Sequence, residues 1–284
     1  MTVNFEPIIG RYFQASINDQ PHRIYMEEAG QGIPLLCLHT AGSDGRQYRS
    51  LLNSKQITNH FRVICFDMPW HGKSSPPPGW HKKEYKLTSQ QYQEMILSVI
   101  ETLNIERPVV MGCSIGGRIV LHLARNHPEK FRALIGLQSG AHVNPYYDLE
   151  YLHRPDINGQ VCAAIVSGLI GPNVPEDEKW ETLWHYMQAG PGIFKGDLHF
   201  YTDDGDIRED LSDIDTQKCP LYLLTGEYDY SSTPEDTVDL VNRIPGCDYQ
   251  LMTGLGHFPM SEDPPAFIEY LHPILNKIMS QPSR

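Results

Sequence analysis

The sequence lacks a long hydrophobic run. Its longest apolar stretches, such as Ile33–Leu38 and Val109–Met111, are far shorter than the roughly 18 residues that a membrane-spanning helix requires. The first residues, MTVNFEPIIGRYF, also lack the basic segment and long apolar stretch of a secretory signal peptide. We therefore expect a cytoplasmic protein that does not bind membranes.

Basic runs are also missing. The formal net charge is -12, with 23 Lys and Arg against 35 Asp and Glu. Binding to a phosphate backbone depends on clustered Lys and Arg that release counterions. The charge distribution therefore excludes nucleic acid as an expected partner, and it leaves the oligomeric state open.

Metal-binding and redox motifs are absent as well. The six cysteines form no Cys-x-x-Cys pair, which argues against a zinc ribbon and against dithiol chemistry. The 13 histidines include no cluster with the spacing of metal ligands. We expect no metal and no cofactor. Four cysteines lie in or beside apolar runs and are expected to be reduced core thiols: Cys37, Cys65, Cys113 and Cys219.

What the sequence does contain is a regular alternation. Apolar runs of four to eight residues are separated by longer segments with helical periodicity, which is typical of a parallel sheet covered by helices. The pattern predicts an α/β fold in which the helix at Thr88–Leu103 begins at the N-cap Thr88. The predicted strands are Tyr12–Ile17, Arg23–Glu27, Pro34–His39, Arg62–Asp67, Val109–Cys113, Arg132–Leu137, Leu221–Thr225 and Tyr249–Met252.

The alternation stops between residues 142 and 215. This stretch has no clear strand and is rich in aromatic residues, so we interpret it as a helical cap inserted into a core formed by residues 1–141 and 216–284. After the cap, helices are predicted at Pro234–Arg243 and Pro264–Ile278. The aromatic residues of the predicted cap are Tyr146, Tyr147, Tyr151, Trp180, Trp184, Tyr186, Phe194, Phe200 and Tyr201.

A Gly-x-Ser-x-Gly motif connects a predicted strand to a predicted helix. It reads Gly112-Cys113-Ser114-Ile115-Gly116 and follows the buried strand that begins at Val109. A nucleophilic serine must project from a sharp turn of this kind, where larger side chains two residues away on either side would collide. The context predicts Ser114 as a nucleophile.

A serine hydroxyl needs a base, and the base needs an acid that fixes its tautomer. His257 lies in a glycine-rich loop between the last predicted strand and the closing helix, which is suitable for the base. Asp229 follows the strand Leu221–Thr225 and is the predicted acid, while Glu227 on the same loop is the alternative. The order Ser, Asp, His is that of a known catalytic triad.

The oxyanion of a tetrahedral intermediate is stabilised by backbone amides that already point at it. Ile115, directly after the nucleophile, supplies one such amide. The second is expected from the loop that follows the strand Leu35–Leu38 and has the sequence His39-Thr40-Ala41-Gly42.

These motifs together resemble the α/β-hydrolase superfamily over essentially the whole chain. His39-Thr40-Ala41-Gly42 is similar to the family's His-Gly oxyanion segment, and the segment from Asp67 to Ser74 is similar to its Asp-x-x-Gly-x-Gly-x-Ser turn. The resemblance implies Ala41 as the second oxyanion donor, with the Thr40 hydroxyl able to assist. Thr40 and Trp70 both replace glycines of the family pattern. Ser114 argues against the dehalogenases and epoxide hydrolases of this fold, which carry Asp at that position.

The resemblance implies a small acyl substrate and an acyl-enzyme on Ser114. Our first hypothesis is an ester or lactone hydrolase, because the aromatic cap indicates an apolar pocket. We expect further substrate contacts from His39, Cys113, Trp184 and Phe258.

Three alternatives remain at this point. The first is a carbon–carbon bond hydrolase of a diketone-like acid, which would need an inward-facing cation to bind the carboxylate. The second is a ligand-binding receptor with slow turnover, and the third is an acyltransferase. The candidate cations for the first alternative are Arg118, Arg154, Lys195 and Arg208.

Overall fold

The structure is a computed structural model, which describes residues 4–144 and 150–281. Its centre is a single sheet of eight strands in the order β1-β2-β4-β3-β5-β6-β7-β8. The strands are β1 Ile9–Ile17, β2 Gln20–Ala29, β3 Ile33–Leu38, β4 Phe61–Phe66, β5 Val109–Cys113, β6 Ala133–Leu137, β7 Leu221–Gly226 and β8 Asp248–Met252.

Six of these strands run parallel, and only the first hairpin departs from that pattern. β2 pairs antiparallel with both β1 and β4, whereas β4, β3, β5, β6, β7 and β8 pair in parallel. The central strands β5 and β6 are buried along their entire length, as expected for strands covered on both faces. The predicted α/β fold class is confirmed.

Helices cover both faces of the sheet and divide the core into two apolar layers. α3 and α4 lie on one side, and α1 and α10 lie on the other. Thr88 caps α3 by accepting the Gln91 N–H, as predicted. The helices of the core are α1 Arg49–Asn53, α2 Lys55–Thr58, α3 Ser89–Thr102, α4 Ile115–Asn126, α8 Pro234–Arg243, α9 Pro259–Glu262 and α10 Pro264–Ser280.

Residues 142–215 connect β6 to β7, and we call them the cap segment; it is described at residues 142–144 and 150–215. It contains α5 Asn158–Ser167, α6 Glu176–Met187, α7 Ile193–His199 and a π-helical turn at Phe200–Asp204. The described part of the segment contains helices and turns but no strand. Its division from the core as a separate unit remains a prediction. Tyr146 and Tyr147 lie outside the described residues.

All six cysteines are free thiols, and the four that were expected in the core are buried. Within residues 4–144 and 150–281, no helix combines the length and the apolar character needed to cross a membrane.

Candidate active site

Ser114 lies between the end of β5 and the first residue of α4. Its backbone is in an unusual left-handed region, with φ 60° and ψ -113°. Non-glycine residues rarely adopt positive φ, and such strain is often found at functional sites. The two motif glycines permit this turn: a Cβ on Gly112 would meet the backbone of Gly116, and a Cβ on Gly116 would lie 2.8 Å from the Leu38 carbonyl oxygen.

His257 and Asp229 form a buried pair next to this turn. The Nδ1–H of His257 donates to Asp229, with both carboxylate oxygens at 2.9 Å. Asp229 Oδ1 also accepts the backbone N–H groups of Ser231 and Ser232 at 2.8 and 3.1 Å. These bonds fix the carboxylate, and they leave His257 Nε2 as the ring nitrogen with a free lone pair. The structure brings this predicted base and acid together.

Glu227, the alternative acid, forms no hydrogen bond with the His257 ring among the described contacts. It is exposed, and its carboxylate accepts the Gly254 N–H at 2.9 Å.

The loop that carries His257 is held by a second buried acid, Glu262, which is not among the predicted site residues. Glu262 accepts the backbone N–H groups on both sides of the histidine, from Gly256 and from Phe258, the latter at 3.4 Å. It also accepts the Gly171 N–H of the cap segment at 3.3 Å. Burial raises the pKa of Glu262 to about 7. No signal in the local sequence distinguishes Glu262 from a solvated acid.

The predicted oxyanion loop has most of its polar groups already engaged. The Thr40 N–H donates to Gln47 Oε1 at 3.0 Å, and the Thr40 hydroxyl bonds to the same oxygen and to the Tyr186 hydroxyl. The Gly42 N–H donates to Asp197 Oδ2 at 2.7 Å. In the described chain, only the Ala41 N–H of these three amides has no hydrogen-bond acceptor.

The Ile115 N–H is similarly available. Ile115 is the first residue of α4, and the first amides of a helix have no acceptor inside the helix. Ala41 and Ile115 therefore each have a backbone amide without an acceptor in the described chain, as a donor to an oxyanion must have.

Ser114 and His257 line one pocket, although no hydrogen bond joins their side chains in the part of the chain that the structure describes. Catalytic hydrogen bonds are often long before substrate binds. The cap segment supplies much of the wall. The described lining residues are Thr40, Ala41, Ser114, Val166, Leu169, Tyr186, Phe194, Leu198, Tyr201, Ser231, His257 and Phe258.

Comparison with known sequences finds a matching family profile over part of the chain. Residues 33–160 match the profile of the alpha/beta hydrolase fold. Two curated relatives are each 30% identical: a putative non-heme haloperoxidase of Mycobacterium phage D29, over 42% of this chain, and a 2-hydroxymuconate semialdehyde hydrolase of Pseudomonas putida, over 45%. The matched stretches span only 40% and 43% of those relatives.

Solved structures match over nearly the whole chain. An esterase from Thermogutta terrifontis has a TM-score of 0.80 at 19% identity, covering 94% of this chain and 99% of the esterase. The enol-lactonase from Burkholderia xenovorans LB400 has a TM-score of 0.79 at 17% identity, covering 94% of this chain and 100% of the lactonase. The chain has the α/β-hydrolase fold.

The turn from Asp67 to Ser74 is held by hydrogen bonds to Asp67. Asp67 accepts the N–H groups of Gly45 and Lys73 at 2.9 and 2.8 Å, and the Ser74 hydroxyl donates to the Asp67 carbonyl at 2.6 Å. Trp70, which replaces a glycine of the motif that this turn resembles, has φ 79°. Its ring packs against Trp80 and Tyr85, which offsets the strain of a left-handed residue.

Three of the four expected substrate contacts do not lie on the described wall of this pocket. His39 is buried and has both ring nitrogens engaged, with the Thr40 carbonyl and the Met68 N–H. Cys113 is buried behind Ser114, with its thiol directed at the His257 carbonyl. Trp184 is 50% exposed and lies near Arg46. Phe258 is the one that lines the pocket.

The four candidate cations also lie off the described wall. Arg154, Lys195 and Arg208 each form ion pairs with nearby acids. Arg118 is fully buried on α4, where one guanidinium nitrogen donates to the carbonyls of Tyr201 and Gly205 at 3.3 and 3.2 Å. Its guanidinium packs over the Tyr201 ring, 4.8 Å from the centroid.

Proposed function

We propose that this protein is a serine hydrolase that cleaves small carboxylic esters or lactones with an apolar acyl group. One observation carries the proposal: Ser114 and His257 share a pocket whose other described lining residues are mostly apolar and include no lysine or arginine. Such a wall suits an uncharged acyl chain, because a buried carboxylate without a cation would pay a large desolvation penalty. In this proposal residues 142–215 act as the cap.

The reaction would begin with His257 Nε2 removing the Ser114 hydroxyl proton as Oγ attacks the acyl carbon. The oxyanion would accept the N–H groups of Ala41 and Ile115, and Asp229 would stabilise the imidazolium. The proton then passes to the leaving alkoxide, the ester bond breaks and the acyl-enzyme remains. Water attacks next, giving its proton to His257, and the carboxylic acid leaves as Ser114 is reprotonated. No step requires a cofactor or metal.

The contribution of each catalytic group to the rate can be given as an order of magnitude. General base catalysis typically supplies about 10²–10⁴-fold, and one oxyanion donor about 10²–10³-fold. Loss of Ser114 should therefore abolish turnover. Acyl transfer to an alcohol or thiol instead of water would use the same intermediate.

A carbon–carbon bond hydrolase is the second candidate, and Arg118 is the observation that favours it. Its Nε and one Nη are buried without a hydrogen-bond partner, which is costly for a cation. The guanidinium lies against Tyr201, a pocket residue. A substrate carboxylate would have to reach it past the described wall, and for this reason the ester hypothesis ranks first.

The test is the initial rate on p-nitrophenyl acyl esters of increasing length, on simple lactones and on one dienoic acid with a 1,5-diketone-like core. We expect a maximum at a short acyl chain and no activity for Ser114→Ala. Ser167→Ala, which changes an exposed serine of the cap segment, is the matched control.

The other outcomes are equally informative. Cleavage of the dienoic acid alone, lost in Arg118→Met, would favour the second candidate. Negligible turnover of every substrate by the folded protein would overturn the proposal in favour of a receptor.

A further inference from the structure

A buried carboxylate connects the cap segment to the oxyanion loop. Asp197 lies on α7 and is completely buried. Its Oδ2 accepts the Gly42 N–H at 2.7 Å and the His71 Nε2–H at 2.8 Å, and its Oδ1 accepts the Tyr85 hydroxyl at 2.8 Å. The catalytic scheme proposed above does not use this group.

The partner of Asp197 is a charged imidazole. His71 has an acceptor at each ring nitrogen: Asp197 Oδ2 at Nε2, and the Pro69 carbonyl oxygen, 3.0 Å away, at Nδ1. Two acceptors require two N–H donors, and only the imidazolium carries both. Burial alone would lower the pKa of His71, but the Asp197 charge and the two hydrogen bonds raise it above its ordinary value. His71 and Asp197 therefore form an ion pair in which both side chains are buried.

This ion pair lies next to the amide that would bind the oxyanion. Gly42 directly follows Ala41, has φ 66° and packs so closely on Phe194 that a Cβ would lie 2.9 Å from the Phe194 Cβ. On the other side of Ala41, Gln47 holds Thr40. The loop is therefore held at both flanking residues, and the Ala41 N–H between them remains free.

We propose that Asp197 is a positioning residue that sets the direction of the Ala41 N–H through Gly42, so that the oxyanion site is complete only when α7 of the cap segment is seated on the core. This inference rests on the proposed function. A hydrogen bond to a charged acceptor is stronger and shorter than a neutral one, which suits a carboxylate for holding a catalytic loop. The buried His71 imidazolium lies 2.8 Å from that carboxylate and supplies the opposite charge.

The experiment compares an oxoester with the thionoester of the same acid and alcohol. In the thionoester the developing charge is on sulfur, which is larger and a weaker hydrogen-bond acceptor than oxygen, so a well-placed amide favours the oxoester. Displacing a catalytic group by about 1 Å can cost about 10²-fold. We expect Asp197→Asn to lower kcat for the oxoester by about that factor, with KM little changed, and to lower kcat for the thionoester much less.

Tyr85→Phe is the matched control, because it removes a hydrogen bond from the other oxygen of the same carboxylate. It should keep the oxoester-to-thionoester ratio of the wild type. If Asp197→Asn does not fold, Asp197→Glu takes its place, since it keeps the charge but displaces it by one methylene and should also lower the ratio.

An equal loss on both esters would indicate a merely structural role and overturn the inference, as would an unchanged ratio in Asp197→Glu. No turnover of either ester by the wild type would overturn the proposed function, and this inference with it.

Discussion

Glu262 accepts the N–H of Phe258, the residue directly after His257, at 3.4 Å. The same carboxylate reaches Gly256 on the other side of the histidine and Gly171 in the cap segment. One buried acid thus orders the backbone around the proposed base and attaches it to the segment that forms the pocket wall. This arrangement has an energetic consequence, because a fully buried carboxylate is costly to ionise.

The first prediction concerns stability and pH. Burial raises the pKa of Glu262 from 4.5 to about 7, so the folded state binds this proton more tightly than the unfolded state. The stability from this group is fully present below about pH 4.5 and is lost as the pH rises through about 7. Glu262→Gln cannot ionise at this position, so its unfolding free energy should not show this loss. Between pH 4.5 and 7, the unfolding free energy of the wild type should therefore fall by about 3 kcal/mol relative to that of Glu262→Gln.

Urea denaturation at several pH values measures that difference. Glu227→Gln is the control, because Glu227 is an exposed acid that also accepts a backbone amide of this loop. If the plots of unfolding free energy against pH for the wild type and Glu262→Gln stayed parallel, the prediction would be contradicted.

The second prediction identifies the acid of the proposed triad. In Asp229→Asn the amide would donate a hydrogen bond toward His257 Nδ1, favouring the tautomer that cannot act as a base at Nε2. We expect kcat for ester hydrolysis to fall about 10⁴-fold, with KM nearly unchanged. Glu227→Gln should retain wild-type activity. If instead Glu227→Gln lost activity and Asp229→Asn kept it, the two acids would have to exchange roles.

The sequence was most informative for a strand that is buried on both faces and for a helix with a clear start signal. Val109–Cys113 and Pro234–Arg243 were predicted with the bounds that the structure has. Strand β5 is a continuous apolar run, and α8 begins at a proline that follows the N-cap Thr233. By contrast, α1 and α2 were missed, since each is only four or five residues long and too short to establish a helical period.

Residues around the pocket were harder to predict because burial of a side chain in a helical segment depends on which face packs inward. Trp184 and Tyr186 are two positions apart on α6, yet Tyr186 lines the pocket and Trp184 is half exposed. Asp197 and Glu262 were missed for a different reason. Acidic residues are normally solvated, and nothing in their local sequence distinguishes a buried acid that accepts backbone amides from a surface one.

The third prediction concerns acyl-chain selectivity. Val166 is a buried residue of α5 that lines the pocket, and Val166→Ala would enlarge the space beside Ser114. Each additional methylene that fills such space is worth about 0.8 kcal/mol, or roughly a fourfold gain in kcat/KM. We expect the preferred p-nitrophenyl ester to become longer. Val161→Ala, on the same helix but off the described wall, should leave the preference unchanged, and a shift in both variants would indicate a general loosening of the cap segment.

The fourth prediction separates steric contact from backbone strain in the loop of His257. A Cβ on Gly256 would lie 2.5 Å from the Gly171 nitrogen and 2.6 Å from the Leu169 carbonyl oxygen, and both of these are backbone atoms. Because the Leu169 carbonyl also accepts the His257 N–H at 2.9 Å, Gly256→Ala should displace the histidine and lower kcat about 10²-fold.

Gly254→Ala provides the contrast within the same loop. Gly254 has φ 86°, and its Cβ position has no neighbour within 4 Å among the described residues. That substitution should cost about 1–2 kcal/mol of unfolding free energy from the left-handed backbone alone and leave kcat near the wild-type value. Denaturant titration and ester kinetics on the two variants measure both effects. Comparable kcat in Gly256→Ala and Gly254→Ala would mean that contact with the cap segment does not position His257.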